Sequence, residues 1–261
     1  MKRLLVTNDD GYTSAGFFPL LEKLSRKFSL TVVAPSSEKS WIGKAITTKT
    51  ELQIHEVDYD GFHIFTVDGT PADCVQLGMY TIMETKPDCV VSGINQGENA
   101  GHARILSSGT VGAAMEAAFE GIPALAASIM IPYECKAGID LFDKKNRYVF
   151  DNAAMITAKI VSKICEHKMK HIDLFSVNIP FDATCSTDLV ITKPFKDPYG
   201  KLFHRTNKGY LHRTPPLDFS MIHPGSDLET LQKKKISLTP LSLDLVTSQS
   251  LTEAQQLFDS W

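Results

Sequence analysis

Short aliphatic runs alternate with amphipathic stretches over the first 130 residues. Arg3 to Val6 reads as a buried strand ending in the polar cluster Thr7-Asn8-Asp9-Asp10-Gly11. From Gly16 to Phe28, the apolar residues Phe17, Leu20, Leu21, Leu24 and Phe28 recur at helical spacing. Leu30 to Val33 predicts a second strand, stopped by Ala34-Pro35, and Phe62 to Val67 a third, turning at Asp68-Gly69-Thr70-Pro71. Residues 72–84 read as helix, and Asp88 to Val91 as a strand running into the glycine-rich stretch Ser92 to Gly101. A helix over 110–120 closes at Gly121, and Ala124 to Ser128 is the next strand. A further amphipathic helix (149–167) and a core strand (Leu174 to Ile179) continue the series.

This repeated strand–loop–helix order predicts an α/β fold with a mostly parallel sheet covered on both faces. The character changes near residue 190. Residues 194–227 are rich in Pro, Gly, aromatic and basic residues with little helical periodicity, which predicts an extended arm or hairpin. A short strand (Ile236 to Leu238) and a C-terminal helix from about Thr252 follow. We therefore expect a catalytic core over 1–190 and an arm, hairpin and helix over 191–261. Such arms either reach across to a neighbouring subunit or meander over their own domain.

The 261 residues carry a formal net charge of −3, with a pI near 6.2. That balance gives no basic footprint for duplex nucleic acid, so any cation holding an anionic substrate must be local, such as a bound metal. No apolar run approaches the length of a membrane span, and MKRLLVTNDDG turns polar too soon for a signal-peptide core. Five scattered cysteines (Cys74, Cys89, Cys135, Cys165, Cys185) without a C-x-x-C pair argue against a disulfide framework or structural zinc. The expectation is a cytoplasmic protein.

Ligands of parallel α/β sheets bind beyond the carboxyl ends of the strands. Three polar clusters fall there: Asn8 to Gly11, the Ser36–Ser40 loop, and Ser92 to Gly101. Adjacent carboxylates repel one another and lose solvation, a cost that a divalent cation offsets. Mg²⁺ and Mn²⁺ prefer hard oxygen ligands. Asp9 and Asp10 could supply carboxylates, and Ser40 and Asn95 neutral oxygens. The alternative is that Asp9 or Asp10 simply caps the following helix. A second constellation is Gly93, Gly97 and Gly101, followed by Ser107-Ser108-Gly109-Thr110 before a small-residue helix. Free amides at a helix start favour phosphate, although Ser108 or Thr110 could equally be an ordinary cap. Neither a Walker loop nor a dinucleotide G-x-G-x-x-G is present, and the latter absence weighs against an NAD-dependent oxidoreductase. The eight histidines lack ligand spacing, which disfavours zinc. His102 could touch substrate or be an ordinary loop histidine, and Trp41 could stack a base or pack against protein.

Together, TNDDGY (7–12), VVAPSSEKS (32–40), VDGTPADCV (67–75), VVSGINQGENAG (90–101), SSGTVGAAMEA (107–117) and GIPALAAS (121–128) resemble the SurE survival-protein nucleotidases. Weaker echoes are SVNIP (176–180) and SLTPLSLD (237–244). The resemblance implies a Rossmann-like three-layer αβα core with a C-terminal arm exchanged in a homodimer or homotetramer. It implies a phosphomonoesterase that uses one divalent metal ion, Mg²⁺ or Mn²⁺, per subunit. Its substrates would be nucleoside 5′- and 3′-monophosphates, with short polyphosphate as a possible further one. Family metal ligands map onto Asp9, Asp10, Ser40 and Asn95, and phosphate contacts onto Asn99, Ser108, Gly109 and Thr110. Either aspartate could orient the attacking water or attack directly. Where many family members have Gly after the metal-binding Ser, this chain has Trp41-Ile42, which changes the loop facing the substrate.

Overall fold

The structure, a computed structural model, describes residues 1–132, 143–196, 198–214 and 222–259. Cys135, part of the expected arm (215–221) and the last two residues lie outside the described residues.

Six strands build a parallel core. They are β1 (Arg3–Thr7), β2 (Ser29–Pro35), β4 (Phe62–Val67), β5 (Cys89–Asn95), β6 (Ala124–Met130) and β7 (Leu174–Pro180). Helices join them except between β2 and β4, where a loop and an edge strand intervene. An edge strand β3 (Ile54–Tyr59), with β8 (Leu189–Ile191) and β11 (Ile236–Leu241), completes a nine-stranded sheet in the order β3-β4-β2-β1-β5-β6-β7-β11-β8. Among the described residues of this sheet, β3 against β4 and β11 against β7 are antiparallel and the other pairs are parallel. The chain runs outward from β1 through β2 to β4, then returns to the other side of β1 for β5, β6 and β7. Sequence order therefore reverses between β1 and β5, which creates the crevice at the strand carboxyl ends where such sheets bind ligands.

Alternation along the strands supplies two cores. On one face Leu4, Val6, Val32 and Val91 meet α1 (Phe17–Ser25) and the helix over Asp151–Glu166. On the other Leu5, Val33, Val90 and Ala126 meet α2 (Pro71–Leu77) and the helix over Gly109–Phe119. Between α2 and the latter lie a π-helical turn (Gly78–Ile82) and α3 (His102–Ser107), so the Gly109–Phe119 helix is α4 and Asp151–Glu166 is α5. The result is the expected three-layer αβα arrangement.

The expected helix over 72–84 is divided. Its α-helical part ends at Leu77, and a Cβ on Gly78 would come within 2.7 Å of the Leu5 side chain. The missing side chain lets the π turn settle onto the sheet.

Beyond residue 190 part of the chain rejoins the core. Strand β11 pairs with both β7 and β8, and the short helix α6 (Asp227–Gln232) buries Leu228 and Leu231. The sheet therefore takes in β11 from the C-terminal part of the chain. What stands apart is a hairpin of β9 (Phe203–Thr206) and β10 (Gly209–His212) and a C-terminal helix α7 (Ser248–Leu257) with no buried residue. Among the described residues no helix is long and apolar enough to cross a membrane.

Candidate functional site

The site starts at the end of β1, where Thr7 pairs with Ser92 of β5 and the chain turns polar. Asn8 fixes that turn: its side-chain amide donates to the Gly11 carbonyl (2.9 Å) and to Ser14 Oγ (3.1 Å). Its Oδ1 is buried without a hydrogen-bond partner among the described residues.

Asp9 is only 4% exposed. Its Oδ1 accepts from Thr110 Oγ1 at 2.6 Å and its Oδ2 from the Thr110 amide at 3.2 Å. Asp9 thus does not cap the helix that follows it in sequence. Instead it reaches the first turn of α4, where the helix dipole favours an anion. Ser108 is the α4 cap, its Oγ accepting from Val111 N at 3.2 Å, as one sequence reading anticipated. Gly109 permits the approach: a Cβ there would lie 2.9 Å from Asp9 Cβ and 2.9 Å from Ile42 Cγ2. The Gly109 amide is the first-turn donor that neither Asp9 nor Ser108 holds.

Burial outweighs those hydrogen bonds. Desolvation pushes the Asp9 carboxyl up from 3.8 to about 6, the Thr110 contacts pull it down, and Glu38 adds a smaller upward push. None of the described ion pairs involves Asp9. Asp10, 8% exposed, accepts the Gln96 amide at 3.2 Å, which ties β1 to the loop after β5. Asn95 ends β5, half-buried, with its side-chain amide on Gly97 O at 2.6 Å.

The loop after β2 closes the cluster. Lys39 N donates to the Asp9 carbonyl at 2.8 Å. Ser40 Oγ donates to Glu38 Oε1 at 2.5 Å. Glu38 was not among the expected site residues. Its place two residues before Ser40 is visible in the chain, but its effect on Asp9 depends on how the loop folds back. The remainder of the loop packs against α4 at Gly112 and bonds the end of α3, Gly43 N donating to Ser107 O at 2.9 Å.

Asn99 belongs to a neighbouring polar group. Its backbone N donates to Asn178 Oδ1 (2.7 Å) and its side-chain amide to Ser128 Oγ (2.8 Å). This leaves one of the two side-chain amide hydrogens for another acceptor. His102 hydrogen bonds the Phe195 carbonyl through both its backbone N and Nδ1.

Two carboxylates at a sheet crevice, one lacking an ion-pair partner, beside a hydroxyl and an amide oxygen, suit a hard divalent cation held by oxygen. Among the described residues no group of three or more His, Cys, Asp or Glu is placed to hold a metal. A metal here would therefore depend on the neutral oxygens of Ser40 and Asn95 as well as the aspartates.

Comparison with known proteins identifies the family. Residues 4–201 match the family model described as survival protein SurE. The protein from Methanocella arvoryzae named 5′-nucleotidase SurE is 34% identical over 99% of both chains. Its namesake from Methanocaldococcus jannaschii is 36% identical over 98% of this chain and 97% of the other. The crystal structure of the SurE protein from Aquifex aeolicus superposes with a TM-score of 0.79 at 31% identity, covering 98% of this chain and 100% of that one. The family model over residues 4–201 and the full-length relatives show that this chain belongs to the SurE family.

Proposed function

We propose that the chain is a 5′-nucleotidase, a phosphomonoesterase releasing phosphate from nucleoside monophosphates with one Mg²⁺ or Mn²⁺ held by Asp9, Asp10, Ser40 and Asn95. The observation that carries this reading is Asp9, a buried carboxylate without an ion-pair partner among the described residues, beside a second carboxylate at the sheet's switch point. The names borne by its relatives support the substrate class. Bound there, a divalent cation neutralises phosphoryl charge and acidifies water. The chain's own residues position the reaction. Thr110 holds both Asp9 oxygens, which supports a ligand role for Asp9 over direct attack on phosphorus. The Gly109 amide and the remaining Asn99 amide hydrogen are donors suited to phosphoryl oxygens. Activity on 3′-monophosphates and short polyphosphate belongs to the same proposal, since neither changes the phosphoryl group to be held.

Phosphate release from a panel of nucleoside 5′- and 3′-monophosphates tests the reading. Release with Mn²⁺ or Mg²⁺ that disappears in EDTA is expected. Unchanged release in EDTA, or none from any nucleotide with either metal, contradicts it.

The same reading extends to assembly. Helix α7 exposes Leu251 and Leu257, and the hairpin exposes Phe203, Tyr210 and Leu211. These apolar groups support a homodimer or homotetramer in which α7, the end of the C-terminal arm, is exchanged while the hairpin keeps its place beside Trp41. Light scattering at two or four times 28.8 kDa is the expected result, and a monomer at micromolar concentration contradicts it.

A further inference from the structure

The residue after Ser40 carries an observation that metal and phosphate chemistry does not use. Trp41 has φ +60°, a left-handed backbone rare for a bulky side chain and costly unless its surroundings impose it. The indole stays 40% exposed. It sits among aromatic residues from two other segments: the Tyr199 ring at 5.3 Å and 53°, and the His212 ring at 4.7 Å and 71°. Tyr199 is anchored, its hydroxyl donating to the Ala103 carbonyl on α3. His212 ends β10 and meets Phe203 of β9 at 5.6 Å. Neither of these neighbours lies parallel to the indole, and among the described residues no aromatic ring stacks on its face. The His212 Nε2 is buried and lacks a hydrogen-bond partner among the described residues, a state that natural structures rarely leave without a reason. On the other side, Ile42 contacts the place where a Cβ on Gly109 would sit, next to Asp9. The loop thus sets Ile42 beside the Asp9–Gly109 contact and, one residue earlier, Trp41 against an aromatic wall.

We infer that Trp41, steadied by Tyr199 and His212, is the surface on which this protein stacks the base of a nucleoside monophosphate. It would thereby select nucleotides over phosphomonoesters that lack a base. The inference rests on the proposed nucleotidase reading and assigns the base end of that site.

The test compares wild type, Trp41→Ala and Trp41→Phe on a purine nucleoside 5′-monophosphate and on ribose 5-phosphate, which keeps the sugar phosphate and lacks the base. Base–aromatic stacking contributes about 1–3 kcal/mol. The ratio of kcat/KM for nucleotide over ribose 5-phosphate should accordingly fall about tenfold or more in Trp41→Ala, chiefly through KM. Trp41→Phe should recover most of it. An equal loss on both substrates, or no loss on either, overturns the inference and leaves Trp41 as support for the Ser40 loop. Binding is read separately from turnover, because Trp41 and Trp261 are the two tryptophans. In Trp261→Phe protein, the nucleotide should quench the Trp41 emission and ribose 5-phosphate should not. Quenching without phosphate release upholds the base site while the hydrolytic reading fails. No quenching by the nucleotide overturns the base site.

Discussion

Replacing Asp9 by Asn is expected to lower kcat for nucleoside 5′-monophosphates on the order of 10³-fold, about 4 kcal/mol of transition-state stabilisation. The fold should survive. Asparagine has the same shape, its Oδ1 still accepts the Thr110 amide, and the Thr110 hydroxyl can accept from Nδ2 instead of donating. What the variant loses is one negative charge from the proposed ligand set, so Mn²⁺ binding should weaken with activity. It also loses a burial cost. With the Asp9 carboxyl raised to about 6, the ionised side chain opposes folding at pH 7 when no cation is present. Metal-free Asp9→Asn should therefore be more stable than the metal-free wild type by about 1–3 kcal/mol in denaturant titrations at pH 7. An inactive variant with higher stability is the behaviour of a site that trades stability for chemistry. Equal activity in variant and wild type would contradict the role given to Asp9.

The second large effect is the pH dependence of the metal-free protein. The folded state keeps the Asp9 proton to about pH 6, whereas the unfolded chain releases it near 3.8. Between those values the folded state binds more protons, so this residue's contribution to stability falls as pH rises from about 4 to about 6 and stays low above. At 1.36 kcal/mol per pKa unit, the loss is roughly 3 kcal/mol. Asp60, Asp143 and Asp188 act in the opposite direction, because their lysine or arginine neighbours hold them below the usual carboxylate range. They are common to wild type and variant. The difference between wild type and Asp9→Asn across pH 4–7 therefore isolates Asp9, and it should change by the full amount. Excess Mn²⁺ should then restore stability to the wild type at pH 7, by about 2.7 kcal/mol at a hundred times Kd, and much less to the variant. A flat difference across this pH range would show that burial does not perturb Asp9.

The parallel core was legible in the chain because each of its strands is a short apolar run followed by a polar turn. Fully buried strands such as β1 and β6 leave the strongest such signal. Edge elements were not. Strand β3 is mostly exposed, with burial alternating weakly, although its turn carried a cue: Asp60-Gly61, both with positive φ (51° and 82°), is the residue pair favoured in tight hairpin turns. The three residues of β8 are too few for any periodicity. The insertion of β11 between β7 and β8 depends on pairing partners about 60 and 45 residues earlier. At the site, the carboxylate pair, Ser40, Asn95 and the start of α4 all stood out by position at strand ends. What the chain alone did not reveal is that Thr110 serves Asp9, that Gly109 makes room for it, and that the Trp41 ring meets aromatic residues 158 and 171 positions further on. These are long-range contacts, and no local spacing encodes them.

The most direct test of the central claim is the number of Mn²⁺ ions bound per chain by wild type, Asp9→Asn and Asp10→Asn, measured by the loss of the free Mn²⁺ resonance signal on titration. One ion per wild-type chain, with affinity lost or weakened at least tenfold in both variants, is the predicted result. Mn²⁺ binding of wild-type strength in either variant, or none in the wild type, would contradict a metal centre built on Asp9 and Asp10.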